Sequence, residues 1–172
     1  MRIVGLLIEE NGIYGLDCSA AAWATDQVNA AYHNAGVQLK DADFVIEDEQ
    51  NLLVVEYKNA NVRGASHPES FNPASDKKIE AVIQKFYDTL HYLHLIGKDR
   101  AAKYIYIVEA PSSDSVMRKR LRNRMQQELP FKLQENIGNG RKLIAGVDVV
   151  SIQEWNESSD YGKYPLKPVN QS

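Results

Sequence analysis

Cysteine is almost absent from this chain. Cys18 stands alone among 172 residues, so no intramolecular disulfide can close and no cysteine-rich zinc framework can form. Long apolar runs are missing too: the stretch near the start, Ile3 to Ile8, is too short for a membrane span or a signal h-region and lacks a small-residue cleavage pattern. A membrane partner is therefore not expected, and the chain reads as cytoplasmic. Nor does one sign of charge dominate, with 20 Lys and Arg against 23 Asp and Glu for a formal net charge of -3. No global basic field advertises nucleic acid, and any polyanion site has to be local.

What remains is ordinary globular composition, 44% hydrophobic and 25% charged with 10 Gly and 6 Pro. The length fits one domain able to bury roughly 70% of its unfolded surface. That domain is expected over 1–155, with 156–172, rich in turn formers and without a period, as a C-terminal tail or packing arm.

Asn11-Gly12 between Arg2–Glu10 and Gly12–Asp17 predicts an N-terminal hairpin with a type I′ turn. Alanines together with Trp23, Val28, Ala31 and Tyr32 recur at helical spacing and predict a helix over 19–35, with Gly36 as its stop. Asp43–Glu47 and Leu52–Lys58 read as the two strands of a second hairpin, and 59–75 as a long unperiodic loop. Ile79, Val82, Ile83, Phe86, Leu90 and Leu93 mark an amphipathic helix ending near Gly97. A strand at Tyr104–Val108, a helix over 114–134 on the stripe Met117, Leu121, Met125, Leu129, and a strand at Leu143–Val150 complete an α/β chain.

The informative segment is Asp43 to Lys58. Strand side chains alternate, so Glu56 and Lys58 share a face while Tyr57 takes the other. If the hairpin turns about Glu49-Gln50, Asp43 lies opposite Glu56, Val45 opposite Val54, and Phe44, Ile46, Leu53 and Val55 form one apolar patch on the reverse face. A slip of one residue destroys both features. Directly opposed carboxylates repel unless one is protonated or a cation sits between them. Oxygen ligands without His or Cys suit Mg²⁺ or Mn²⁺, with the Lys58 ammonium aimed at the same site. Such charges at strand ends are ordinarily solvated rim charges. Here Leu52-Leu-Val-Val runs straight into Glu56-Tyr57-Lys58, which implies a partly buried sheet end where unpaired charge is costly.

Asp43, twelve intervening residues and Glu56-Tyr57-Lys58 after an apolar strand resemble the signature of the PD-(D/E)XK nuclease superfamily. The resemblance covers roughly residues 19 to 109. It implies a restriction-endonuclease-like mixed central sheet flanked by helices, to which the N-terminal hairpin is an addition, and Mg²⁺-dependent hydrolysis of nucleic-acid phosphodiesters. By position it makes Asp43, Glu56 and the main-chain carbonyl of Tyr57 metal ligands and Lys58 the catalytic lysine. Ala42 stands where the family loosely keeps Pro, and the core strand expected ahead of Asp43 is at best Val37–Lys40. Asp26 is the candidate for an acid from the first helix. Gln84, three residues before Tyr87 instead of four, is the candidate for a helix glutamine that meets substrate.

Arg118, Lys119, Arg120, Arg122 and Arg124 place five basic residues within eight, and Arg118, Arg120 and Arg122 are candidate phosphate contacts. A solvated helix face is the plain alternative. Arg63 and His67, soon after Lys58, are candidate substrate contacts on the loop. The expectation is a metal-dependent nuclease acting on DNA before RNA, with a homodimer or a protective protein partner left open. A non-catalytic nucleic-acid- or protein-binding module on the same fold is the alternative, because fold does not fix activity.

Overall fold

In the computed structural model, which describes residues 5–61 and 72–169, the chain runs β1 (Leu6–Ile8), β2 (Tyr14–Asp17), β3 (Trp23–Thr25), α1 (Val28–Asn34), β4 (Phe44–Glu47), β5 (Leu52–Asn59), α2 (Asp76–Leu95), β6 (Ala102–Glu109), α3 (Ser115–Glu128), α4 (Phe131–Ile137), β7 (Ile144–Val150), α5 (Ile152–Glu157) and β8 (Leu166–Pro168). Five strands form one mixed sheet in the order β3-β4-β5-β6-β7. It is antiparallel from β3 to β5 and parallel from β5 to β7. A separate antiparallel sheet has the order β1-β2-β8.

The Leu-Leu-Val-Val run is unbroken because β5 lies in the middle of the larger sheet, with both faces covered. One face packs Val45, Val54, Tyr104 and Tyr106 against Ile79, Val82 and Phe86 of α2 and Leu121 and Met125 of α3. The other packs Phe44, Ile46, Leu53, Val55 and Ile107 against Leu16, Trp155, Tyr164 and Leu166. Each fully buried aliphatic side chain contributes about 1.5–3 kcal/mol, so the layers lock the alternation of β4 and β5 in place. Among the described residues no helix is long and apolar enough to cross a membrane.

Several boundaries differ from expectation. The helix predicted over 19–35 begins only at Val28, and Trp23–Thr25 instead pairs with Glu47–Val45 as the first strand of the large sheet. Alanine spacing is a weak preference, and Trp23 and Thr25 suit a sheet edge that β4 supplies. Val37–Lys40, the core strand expected ahead of Asp43, is irregular, and the strand that pairs with β4 on that side is β3, which precedes α1. The helix predicted over 114–134 breaks at Leu129, which is extended (φ -80°, ψ 161°) because Pro130 follows it.

The N-terminal hairpin forms, but its turn is not type I′. The Gly12 N–H donates to the Glu9 carbonyl at 3.0 Å and only Gly12 takes positive φ there, at 71°. The residues after Trp155 act as a packing arm: Trp155 Nε1 donates to the Tyr164 carbonyl at 2.6 Å, and β8 pairs with β2.

Candidate active site

The β4–β5 register pairs Phe44 with Val55, Val45 with Val54, Ile46 with Leu53 and Glu47 with Leu52, the register that the hydrophobic pattern requires. The Asp48 carboxylate accepts the N–H groups of Gln50 at 2.9 Å and Asn51 at 2.6 Å, which closes a tight turn that Glu49-Gln50 would otherwise suit poorly. One step beyond the strand, Asp43 falls opposite Glu56. The Tyr57 N–H donates to Asp43 Oδ2 at 2.8 Å and pins that carboxylate to the end of β5.

Helix α2 clamps the segment leading into Asp43. The Ala42 N–H donates to Thr89 Oγ1 at 2.9 Å, and the Lys40 N–H donates to Asp88 Oδ2 at 2.8 Å. The same helix brings a cation: Lys85 Nζ lies 2.5 Å from Glu56 Oε2. Glu56 is only 2% exposed, and its Oε1 is buried with no hydrogen-bond donor among the described residues. Tyr106 lies beside Glu56 on β6, and Tyr104 on the same face donates its hydroxyl to the Val82 carbonyl at 2.6 Å. These rings close the inner side of the site.

Burial pushes the Glu56 carboxyl well above its ordinary range, Asp43 adds to that, and the Lys85 ammonium opposes it. Burial alone would lower Lys85, but the charges of Glu56, Asp43 and Asp41 outweigh it and hold the ammonium above its usual value. The Lys85 ammonium thus favours the ionised Glu56 carboxylate, but burial beside Asp43 favours the protonated acid and outweighs it. Burial first, then Glu56, Asp43 and Glu10, raises the Tyr106 hydroxyl, so it stays protonated.

The structure thus brings Asp43 and Glu56 together but seats Lys85, not Lys58, on Glu56. Lys58 shares the Glu56 face by alternation, is exposed, and pairs with Glu10 at 3.4 Å across the sheet end. The Tyr57 ring lies in the opposite core layer, its hydroxyl accepting from Asn59 Nδ2 at 3.0 Å, which leaves its main chain as the part near Glu56. Gln84 turns to Asp88 Oδ1, donating at 2.8 Å, and Tyr87 donates to the Glu128 carbonyl at 3.1 Å. Asp26 lies just past β3 and accepts from Gln27 Nε2 at 2.6 Å. Arg63 and His67 fall outside the described residues.

On α3, Arg118 Nε lies 2.6 Å from Glu154 Oε1 and Arg122 Nε 3.6 Å from Asp148 Oδ1. Arg122 Nε also donates to the Val147 carbonyl at 3.0 Å. These two arginines tie α3 to β7 and α5, while Lys119 and Arg120 are exposed. Lys85 and Glu10 were not anticipated from sequence. Lys85 carried a signal, since it sits three residues after Val82 and four before Thr89, a charge inside an otherwise buried helical stripe. Glu10 carried none, because only the folded hairpin brings it to Lys58.

Among the described residues no group of three or more His, Cys, Asp or Glu side chains forms a metal cage. The donors at hand are two carboxylates, one with an unused buried oxygen. No protein-family model, no curated protein and no solved structure matches the chain.

Proposed function

We propose that this domain is restriction-endonuclease-like and hydrolyses nucleic-acid phosphodiester bonds with a divalent cation, DNA being the first substrate to test. The observation that carries the reading is the buried Glu56 Oε1, left without a donor at a sheet end where β-pairing brings Asp43 against the same carboxylate. A buried carboxyl oxygen without a partner is costly, and a hard cation would satisfy it while holding both acids ionised. Asp43, Glu56 and the Tyr57 carbonyl would hold Mg²⁺ or Mn²⁺, which when bound supplies a Lewis acid that activates water and offsets phosphate charge.

The protein's own groups do the rest. Tyr57 N–H and the α2 clamp fix Asp43, and the Tyr104 and Tyr106 rings exclude water from the inner side of Glu56. Lys58, exposed on the same face, presents an ammonium to a phosphoryl oxygen once released from Glu10. Arg120 and Lys119 offer phosphate contacts further out.

The test incubates plasmid, single-stranded DNA and RNA with wild type, Lys58→Ala and Glu56→Gln, in Mg²⁺ or in EDTA. Cleavage that needs Mg²⁺ and falls about 10²–10³-fold in each variant is expected; undiminished cleavage by Glu56→Gln defeats the assignment. A non-catalytic binding module is the second reading, favoured by Lys85 already neutralising Glu56 and Lys58 already engaged by Glu10. No cleavage of any substrate supports it.

A further inference from the structure

The ammonium on Glu56 comes from a helix, not from the strand that carries Lys58, and its surroundings are lopsided. The Glu56 side chain is 3% exposed and the Lys85 side chain 34% exposed. The carboxylate has nowhere to go, whereas the lysine can leave toward solvent. The backbone beneath it is fixed, because the Thr89 hydroxyl donates to the Lys85 carbonyl at 2.6 Å, so only the side chain need move. Lys85 occupies Oε2 alone and leaves Oε1 open. Asp43 and Asp41 also act on the same ammonium through their charge.

We propose that Lys85 is a resident counter-ion of the Asp43–Glu56 seat, and that a divalent cation enters by displacing its ammonium from Glu56 Oε2. This rests on the divalent-cation reading of the site. A doubly charged ion contacting both carboxylates neutralises them fully and repels the ammonium, so the two cations exclude each other. Release of Lys85 is then part of every binding event. The protein binds the ion more weakly than the bare carboxylate pair would, and the site stays neutralised until the ion is abundant. Lys58 does not share this role, since its ammonium is held at Glu10.

The experiment titrates Mn²⁺ alone, by calorimetry and electron paramagnetic resonance, into wild type, Lys85→Met, Lys85→Arg and Glu56→Gln. Lys85→Met keeps the length of the stem and removes the charge; it is expected to bind Mn²⁺ at least about tenfold tighter than wild type, equivalent to about 1.4 kcal/mol. Lys85→Arg retains a cation and is expected to stay within about threefold of wild type, and Glu56→Gln to lose binding. Equal or weaker binding by Lys85→Met, or binding by Lys85→Arg as tight as by Lys85→Met, overturns the counter-ion role. The seat itself survives that result so long as Glu56→Gln still loses the ion. Unchanged binding by Glu56→Gln overturns the seat and the inference with it. If Lys85→Met does not fold without metal, Lys85→Gln, which keeps a donor for Glu56 but no charge, is titrated in its place with the same expectation.

Discussion

Thr89 offers a perturbation whose size follows from geometry. Its side chain is 0% exposed, beside Ala42 at 1%. Its Oγ1 accepts the Ala42 N–H at 2.9 Å, and its own proton goes to the Lys85 carbonyl at 2.6 Å. Thr89→Val keeps the shape and deletes the hydroxyl. The Lys85 carbonyl still lies within the helical ladder, so the main loss is a buried Ala42 N–H without an acceptor, about 1–3 kcal/mol. For a chain of this length each kcal/mol moves the melting temperature about 2–4 °C, so Tm should fall about 2–12 °C in a calorimetric scan. Thr89→Ser keeps the hydroxyl and loses one methyl, about 0.8 kcal/mol, and should melt above Thr89→Val. Because Ala42 immediately precedes Asp43, Thr89→Val should also weaken Mn²⁺ binding, while Thr89→Ser should not. A Thr89→Val protein melting at or above Thr89→Ser would refute the claim that this hydrogen bond is what clamps the approach to the acid pair.

Two further outcomes are expected. Burial, with smaller additions from Asp17 and Asp26, pushes the Cys18 thiol up to about 12, so a thiol-specific reagent near neutral pH should label the folded protein only after urea unfolds it; rapid labelling of native protein counts against the buried placement. On α3, Arg120→Ala should lower the salt dependence of nucleic-acid binding by about one contact and leave Tm unchanged, whereas Arg118→Ala and Arg122→Ala should cost about 0.5–1.5 kcal/mol through their lost hydrogen bonds to the Ser113 and Val147 carbonyls. An unchanged salt slope for Arg120→Ala removes α3 from any nucleic-acid surface.

The parts legible in the sequence were those where one pattern answered to two demands. Asp43–Lys58 could be registered because the same alternation that buries Phe44, Ile46, Leu53 and Val55 on one face sets Asp43 opposite Glu56 on the other, and the observed pairing agrees. Helix α2 was legible for a similar reason, its apolar stripe ending at Gly97, which has φ 80°. Local spacing misled where a distant partner decided the matter. Trp23–Thr25 belongs to a strand only because β4 lies beside it, and Ile152–Glu157 and Leu166–Pro168 are ordered by contacts with segments far away in sequence. The lysine was the subtlest case. Spacing favours Lys58, two positions from Glu56, but alternation fixes only the face a side chain shares and not how far it reaches. Lys85 is remote in sequence and touches the carboxylate because α2 crosses above β5.

A buried acid that serves the fold and one reserved for chemistry respond oppositely to removal, and Glu56 can be sorted on that basis. Replacing both members of a buried ion pair by apolar side chains is commonly neutral or stabilising by about 1–4 kcal/mol, whereas removing one member costs about 3–5 kcal/mol when it leaves the other charge buried. Glu56→Leu removes one member but escapes that cost, because the charge left behind is not trapped. The neighbouring side chains Val54, Tyr104 and Tyr106 are apolar for most of their surface, Asp43 retains the Tyr57 N–H, and Lys85, already 34% exposed, can carry its ammonium into water. The expected result is a melting temperature equal to or above wild type, together with loss of Mn²⁺ binding. Stability that rises while binding disappears means the acid is kept at the expense of the fold, as reserved sites are. A fall of several degrees in Glu56→Leu would instead show that the Lys85–Glu56–Asp43 contact holds α2 to the sheet, and the carboxylate pair would then be explained by packing alone.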